Sequence, residues 1–242
     1  MFRQLIKPRN LRIPTLANRF YSFDPSSQPR IRIGSEAPNF QIDTTKGKID
    51  FHEFIGNDWV VFFSHPADFT PVCTTELGAF AQLEPEFKKL GAKLIGLSTE
   101  GVESHNEWIK DIEQYNSTNV NFPIIADENK EVAFKYDMLS EEQFQNINSG
   151  LVPTVRSVFV IDPLKKIRAM ITYPPSLGRN SAEVLRIVEA LQVADNNGVV
   201  TPIDWTTGKD VIIPPTVSDE AAKEKFGDFT KHFDYLRTLK LK

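Results

Sequence analysis

The strongest constraint on the fold is a short apolar run, "WVVFF" at residues 59–63, followed soon after by a stretch with helical spacing. Five consecutive apolar residues cannot alternate between core and solvent, so the run reads as a strand covered on both faces. From Cys73 to Leu90 the apolar residues Leu77, Phe80, Ala81, Leu83 and Phe87 recur at helical intervals, and Gly91 stops the helix. The alternation then repeats. "KLIGLS" (93–98) is a second strand, and Val102, Trp108, Ile109 and Ile112 mark a second helix. "FPIIAD" (122–127) is a third strand, with a short helix in "NKEVAFKYDM". "TVRSVFVID" (154–162) and "KIRAMITY" (166–173), joined by a turn at Pro163 to Lys165, form a hairpin. "SAEVLRIVEALQVA" (181–194) is an amphipathic helix with Gln192 at its polar edge. This order predicts an α/β sandwich with a mixed central sheet flanked by helices.

The flanks differ from this body. Residues 23–38 are rich in Pro and Ser and read as a linker or arm, so the folded domain is expected over 31–196, after a linker at 22–30. Residues 197–242 are punctuated by Pro and Gly, with one short helix near Asp219 to Phe226, and read as a C-terminal arm or subdomain. The first 22 residues carry Arg3, Lys7, Arg9, Arg12 and Arg19 and no acid. That pattern suits a mitochondrial transit peptide over residues 1–21, with "NRFYS" as a matrix-protease site cut before Ser22. A cytosolic tail is the alternative, and Pro8 and Pro14 speak for it by interrupting a targeting helix.

Several function classes are excluded. A formal net charge of −4 gives no general attraction to nucleic acid or to an anionic membrane. No run approaches the ~18–20 apolar residues of a membrane span. One cysteine rules out an internal disulfide framework. His52, His105 and His232 lie far apart and give no metal-ligand spacing, and no glycine-rich phosphate loop is present. The expectation is a site without metal or cofactor.

The lone cysteine, Cys73, sits in "HPADFTPVCTTELGAF". Thr70 can be the N-cap of the following helix, and Pro71 suits its first position. Cys73 then falls in the first turn, where unpaired N–H groups and the helix dipole favour an anion. A lone cysteine can also be a small inert core residue, but this placement favours a reactive thiolate.

Pro66, Thr70 and Cys73 match the P-x-x-x-T-x-x-C signature of peroxiredoxins, with later arginines at Arg156 and Arg179. From about Ile31 onward the chain resembles the single-cysteine branch of that family, including "TPIDW" in the terminal arm. Its first 30 residues resemble those of fungal mitochondrial members. The resemblance implies a thioredoxin-like fold and thiol peroxidase activity. It implies Cys73 as peroxidatic nucleophile, Thr70 holding peroxide and sulfur, Pro66 shielding the site and Arg156 pairing with thiolate and substrate. Glu76 and Arg179 match positions that support the arginine pair. For His65 an orienting hydrogen bond or plain packing is expected. Attack on peroxide would leave a sulfenic acid that the chain cannot resolve itself. The resemblance therefore points to glutathione with glutaredoxin, or thioredoxin, as reductant, and to a homodimer. A redox-switched chaperone or signalling protein is the alternative reading. Relatives with phospholipase activity carry a serine in "G-D-S-W-G"; this chain has Asp58 there, in "GNDWV", so that activity is not expected.

The chemistry constrains where catalytic power must come from. Free cysteine with a pKa of ~8.5 is already several per cent thiolate near neutrality, so full ionisation adds only about one power of ten. A more acidic thiolate is also less nucleophilic, with a Brønsted slope of ~0.4–0.5. Fast peroxide reduction must rest on donors aimed at the leaving oxygen, and a guanidinium suits that need.

Overall fold

The computed structural model describes residues 24–148 and 152–241; the expected transit peptide lies outside the described residues. The apolar run forms strand β3 (Trp59–Ser64), and its side chains divide between two cores. Val60 and Phe62 join one buried cluster and Val61 and Phe63 the other. The strand is unbroken in hydrophobicity because both of its faces are covered.

Before β3 come a hairpin, β1 (Gln41–Thr44) and β2 (Gly47–Asp50), and a short helix α1 (Phe51–Ile55). After it run α2 (Pro71–Lys89), β4 (Ala92–Ser98), α3 (Val102–Asn116) and β5 (Ile124–Ala126). Two short helices, α4 (Glu131–Lys135) and α5 (Glu141–Gln145), lead to β6 (Arg156–Ile161), β7 (Ile167–Tyr173) and α6 (Ser181–Asn197). The sheet order is β2-β1-β5-β4-β3-β6-β7. β3, β4 and β5 are parallel, while β6 and β7 run antiparallel to their neighbours. This is the mixed thioredoxin-like sheet the sequence predicts.

Helices α2, α3 and α6 cover one face. Phe80, Phe87, Trp108, Ile112, Val184 and Val188 lie in the cluster beneath them. The other face is packed by aromatic rings: Phe40 stacks on Phe51 at 4.6 Å, and Phe62 meets Tyr136 edge-on at 4.9 Å. Asp127, just past β5, caps α4 by accepting from the amides of Val132 (3.1 Å) and Ala133 (2.7 Å). Burial pushes its carboxyl up to about 7, against those two donors. Helices α2 and α3 approach closely at Gly78. A Cβ there would lie 1.9 Å from the Asn116 side chain, whose amide donates to the Thr74 carbonyl at 3.1 Å.

The flanking segments are more engaged than their composition suggests. The Gly34 amide donates to Ile167 and the Ala37 amide to Lys165, and Ala37 is buried. The C-terminal segment builds a second, three-stranded sheet, β8 (Val211–Ile212), β9 (Thr230–Phe233) and β10 (Leu236–Leu239), in order β8-β10-β9. Helix α7 (Asp219–Phe226) matches the expected short helix. Trp205, Val211, Ile213, Ala222 and Leu239 form a separate small core there. Arg237 organises it, donating to Asp219 and to the carbonyls of Pro214 and Val217.

Candidate active site

The loop of residues 65–70 leaves the carboxyl end of β3 and delivers the chain to α2, the usual place for a site in an α/β sheet. Thr70 occupies the N-cap position and Pro71 the first turn, as the sequence predicts. The Thr70 hydroxyl does not cap the helix, however. It donates to the Ala67 carbonyl at 2.9 Å, which leaves its lone pairs to accept from another group. Pro66 is buried within this loop. Phe69 is held at φ 52° and is 57% exposed, an unusual backbone for an aromatic residue. Cys73 lies in the first turn with 0% exposure.

Antiparallel pairing explains why a residue far along the chain reaches this sulfur. Phe63, near the end of β3, pairs with Val158, so the first residue of β6 falls beside the start of α2. That residue is Arg156. Its Nη1 lies 3.3 Å from Cys73 Sγ and donates to Glu76 Oε2 at 2.6 Å. Its Nε and Nη2 both donate to the Pro175 carbonyl, at 3.1 and 2.8 Å. Glu76 is one helical turn after Cys73 on the same face of α2. Arg179 completes the cluster. It donates to Glu76 Oε1 from its backbone (2.6 Å) and Nε (3.0 Å), and to Oε2 from Nη2 (2.8 Å). Its Nη1 donates to the carbonyls of Ser64 and Ser157, and its guanidinium lies over Phe63 and Phe80.

The electrostatics follow from this count of charges. Burial works to raise the Glu76 carboxyl, but the charge and hydrogen bonds of Arg179, joined by the charge of Arg156, hold it below the ordinary carboxylate range. Two guanidinium charges against one carboxylate leave one net positive charge in the interior. An anionic sulfur at Cys73 neutralises it. The arrangement can hold a thiolate and present fixed donors to an oxygen bound beside it.

His65 does make an orienting hydrogen bond, toward Asp68 Oδ1 at 3.0 Å, while its Nδ1 has no partner. Burial lowers its pKa more than the neighbouring Asp68 raises it, which keeps the ring neutral. Sequence reasoning missed the rest of this group. Asp68 Oδ2 accepts from Ser104 at 2.6 Å and faces His105 Nδ1 at 2.7 Å. The H-x-x-D spacing of His65 and Asp68 is a local signal for the first pair, whereas His105 comes from α3 and only folding brings it near. Asp58, in the place of the phospholipase serine, pairs with Lys93 at 2.9 Å. Among the described residues no group of three or more His, Cys, Asp or Glu could hold a metal ion.

Comparison with known proteins identifies the family. Residues 33–170 match the AhpC/TSA family and residues 190–228 the C-terminal domain of 1-Cys peroxiredoxin. The chain is 60% identical over 221 residues to peroxiredoxin PRX1, mitochondrial, of Saccharomyces cerevisiae, covering 91% of this chain and 85% of that one. It is 47% identical to peroxiredoxin-6 of Gallus gallus over 84% of this chain and 92% of the relative. A structure of yeast mitochondrial 1-Cys peroxiredoxin, concerned with thiol resolution via the glutathione and thioredoxin systems, superposes with a TM-score of 0.81 at 59% identity. It covers 88% of this chain and 100% of that chain. A cysteine mutant of the peroxiredoxin 6 of Arenicola marina gives 0.82 at 43% identity, covering 87% and 98%.

Proposed function

The chain belongs to the 1-Cys peroxiredoxins, which are thiol-dependent peroxidases, and from that premise we propose that Cys73 is the peroxidatic sulfur and Arg156 its principal electrostatic partner. The observation that carries the reading is the 3.3 Å approach of Arg156 Nη1 to Sγ inside a buried cluster of net positive charge. The Cys73 thiolate attacks one peroxide oxygen. The S–O bond forms, the O–O bond breaks, and the leaving oxygen takes up a proton to depart as water or an alcohol. Arg156 stabilises charge on that oxygen as the bond breaks. The Thr70 hydroxyl, already committed as a donor to Ala67, accepts from the peroxide and orients it. Pro66 closes the loop side of the pocket, and Glu76 with Arg179 fixes the Arg156 fork. His65 positions the loop and moves no proton.

The product is a sulfenic acid at Cys73. An external thiol attacks its sulfur and releases water, leaving a mixed disulfide. A second thiol regenerates Cys73 and carries away the disulfide. The pairing of the yeast relative with the glutathione and thioredoxin systems supports glutathione with glutaredoxin, or thioredoxin, as the reductant. The kinship with a mitochondrial peroxiredoxin, joined to the basic N-terminus, supports matrix import by residues 1–21 ahead of a linker at 22–30. The peroxidase domain then spans 31–196, and the arm at 197–242 contributes to a homodimer.

Cys73→Ser protein should consume no hydrogen peroxide in a coupled assay supplied in turn with glutathione–glutaredoxin and with thioredoxin. Wild-type turnover in that variant would overturn the assignment. Light scattering of the purified chain measures the dimer, and mass spectrometry of the protein from its own cells reads the Ser22 terminus.

A further inference from the structure

Cys73 is fully buried and the chain carries no second thiol, so the sulfur has two visitors of very different size. A peroxide needs only a small opening beside the sulfur, in the form that keeps Arg156 against it. A thiol reductant must approach the sulfur of the sulfenic acid directly, which requires residues 65–74 to move. The structure contains a strap across that segment which peroxide binding does not use. Asp68, five residues before Cys73, turns its carboxylate into the protein and meets His65 Nε2 on one oxygen. On the other it meets Ser104 Oγ and His105 Nδ1. The Asp68 amide also donates to Glu100 Oε1 at 3.3 Å.

His105 has acceptors on both sides. Its Nε2 lies 3.1 Å from the Ile125 carbonyl, which only an N–H can satisfy. A further proton therefore sits between Nδ1 and Asp68 Oδ2, and the pair is held by a charge-assisted bond in the interior. One turn along α3, Trp108 packs against His65 with the rings tilted and their centroids 4.9 Å apart, and donates to Thr74 Oγ1 at 3.1 Å. Thr74 in turn donates to the Thr70 carbonyl at 2.8 Å. Helix α3 thus grips the segment on both sides of Thr70 and Cys73.

We infer that Asp68 and His105 are positioning residues whose bond holds the Cys73 loop closed, and so sets how the enzyme divides between the form that attacks peroxide and the form an external thiol can reach. The inference rests on the reading of Cys73 as the peroxidatic sulfur. The titratable and charged groups facing the pair are His65 and Glu100. The donor that matters is Nδ1, which separates positioning from simple bulk. An asparagine amide at 105 can stand where Nδ1 stands, while a glutamine amide reaches the place of Nε2.

The test is double-mixing stopped flow, which reads separately the peroxide reaction of Cys73 and the reaction of its sulfenic acid with glutathione. Asp68→Asn and His105→Gln should each slow the peroxide step by roughly tenfold to a hundredfold, the cost of misplacing a reacting group. Both should speed the glutathione step and reduce overoxidation to the sulfinic acid. His105→Asn should restore the wild-type ratio of the two rates. Ser104→Ala, a milder change that keeps the pair, should shift both rates in the same senses by less, and serves if Asp68→Asn does not fold. Ile112→Ala, buried two turns along α3, lowers thermal stability without touching the strap and should leave the ratio unchanged. Rates unchanged in Asp68→Asn and His105→Gln, or lowered together, overturn the inference, as does a shift in Ile112→Ala of the same size. A wild-type protein whose Cys73 does not react with peroxide would instead strike the proposed function.

Discussion

Two buried carboxylates flank Cys73, and each binds a pair of basic side chains. Glu76 on α2 bridges Arg156 and Arg179; Asp68 on the preceding loop bridges His65 and His105. The first set cannot discharge, because guanidinium keeps its proton at any working pH. Its surplus positive charge is a permanent demand for an anion at Cys73. The second set is built on imidazoles, and burial holds His65 below its ordinary value, so no surplus of positive charge is built into it. One cluster is suited to chemistry and the other to holding a segment that must also let go.

That contrast is sharpest in the response to removing each carboxylate. Glu76→Gln leaves two buried guanidinium groups short of their partner and should cost about 3–5 kcal/mol of stability. Urea titration of the two variants side by side checks this; a cost no larger than that of Asp68→Asn would erase the distinction. Arg156→Met should raise the barrier to peroxide attack by about 2.7–4 kcal/mol, a hundredfold to a thousandfold in rate, with Arg156→Lys between it and wild type. Competition against a reference peroxidase measures it, and a loss under tenfold would remove Arg156 from its assigned role. Asp68→Asn should cost only about 1–3 kcal/mol, because the asparagine keeps an oxygen that accepts from Ser104 or an imidazole N–H.

The smallest expected effect is on pH dependence. Glu76 and Asp68 both stand below their ordinary values in the folded protein: in each, hydrogen bonds and charges from its cationic partners outweigh burial, which pushes the other way. Their stabilisation is complete above the unfolded carboxylate range of about 4 and is lost as the pH falls from there through the lowered folded values. His65, lowered by burial, acts in the same sense from about pH 6.5 downward, because only the unfolded chain takes up its proton. Asp127 acts oppositely. Held up to about 7 by burial, it costs stability as the pH rises toward that value. The melting temperature should therefore fall steeply below about pH 4.5, and less steeply in Glu76→Gln. A midpoint constant between pH 7 and pH 3.5 contradicts this.

How much of this was legible in the sequence depended on burial and on distance along the chain. Strands β3 and β4 declared themselves because packing on both faces leaves no polar alternation. The β1–β2 hairpin was missed, since "QIDTTKGKID" lies at a sheet edge with most of its residues only partly buried or exposed. The C-terminal sheet was missed for the same reason: β8 has two residues, and all four of β9 are exposed. At the site, Pro66, Thr70 and Cys73 were readable as a local motif. Arg156 and Arg179 were readable only through family resemblance, because they reach Glu76 across 80 and 103 residues. His105 was set aside for lying far from the other histidines, yet the sheet brings it within a hydrogen bond of Asp68.

The close contact at Gly78 bears on how the sulfur is unveiled. With Asn116 filling the space of a β-carbon and clasping Thr74 from behind, α2 cannot swing outward as a rod. Exposure of the sulfur calls for release at the amino end of the helix, where Asn116 and Trp108 both hold Thr74. Amide hydrogen exchange should accordingly be faster ahead of Thr74 than from Gly78 onward.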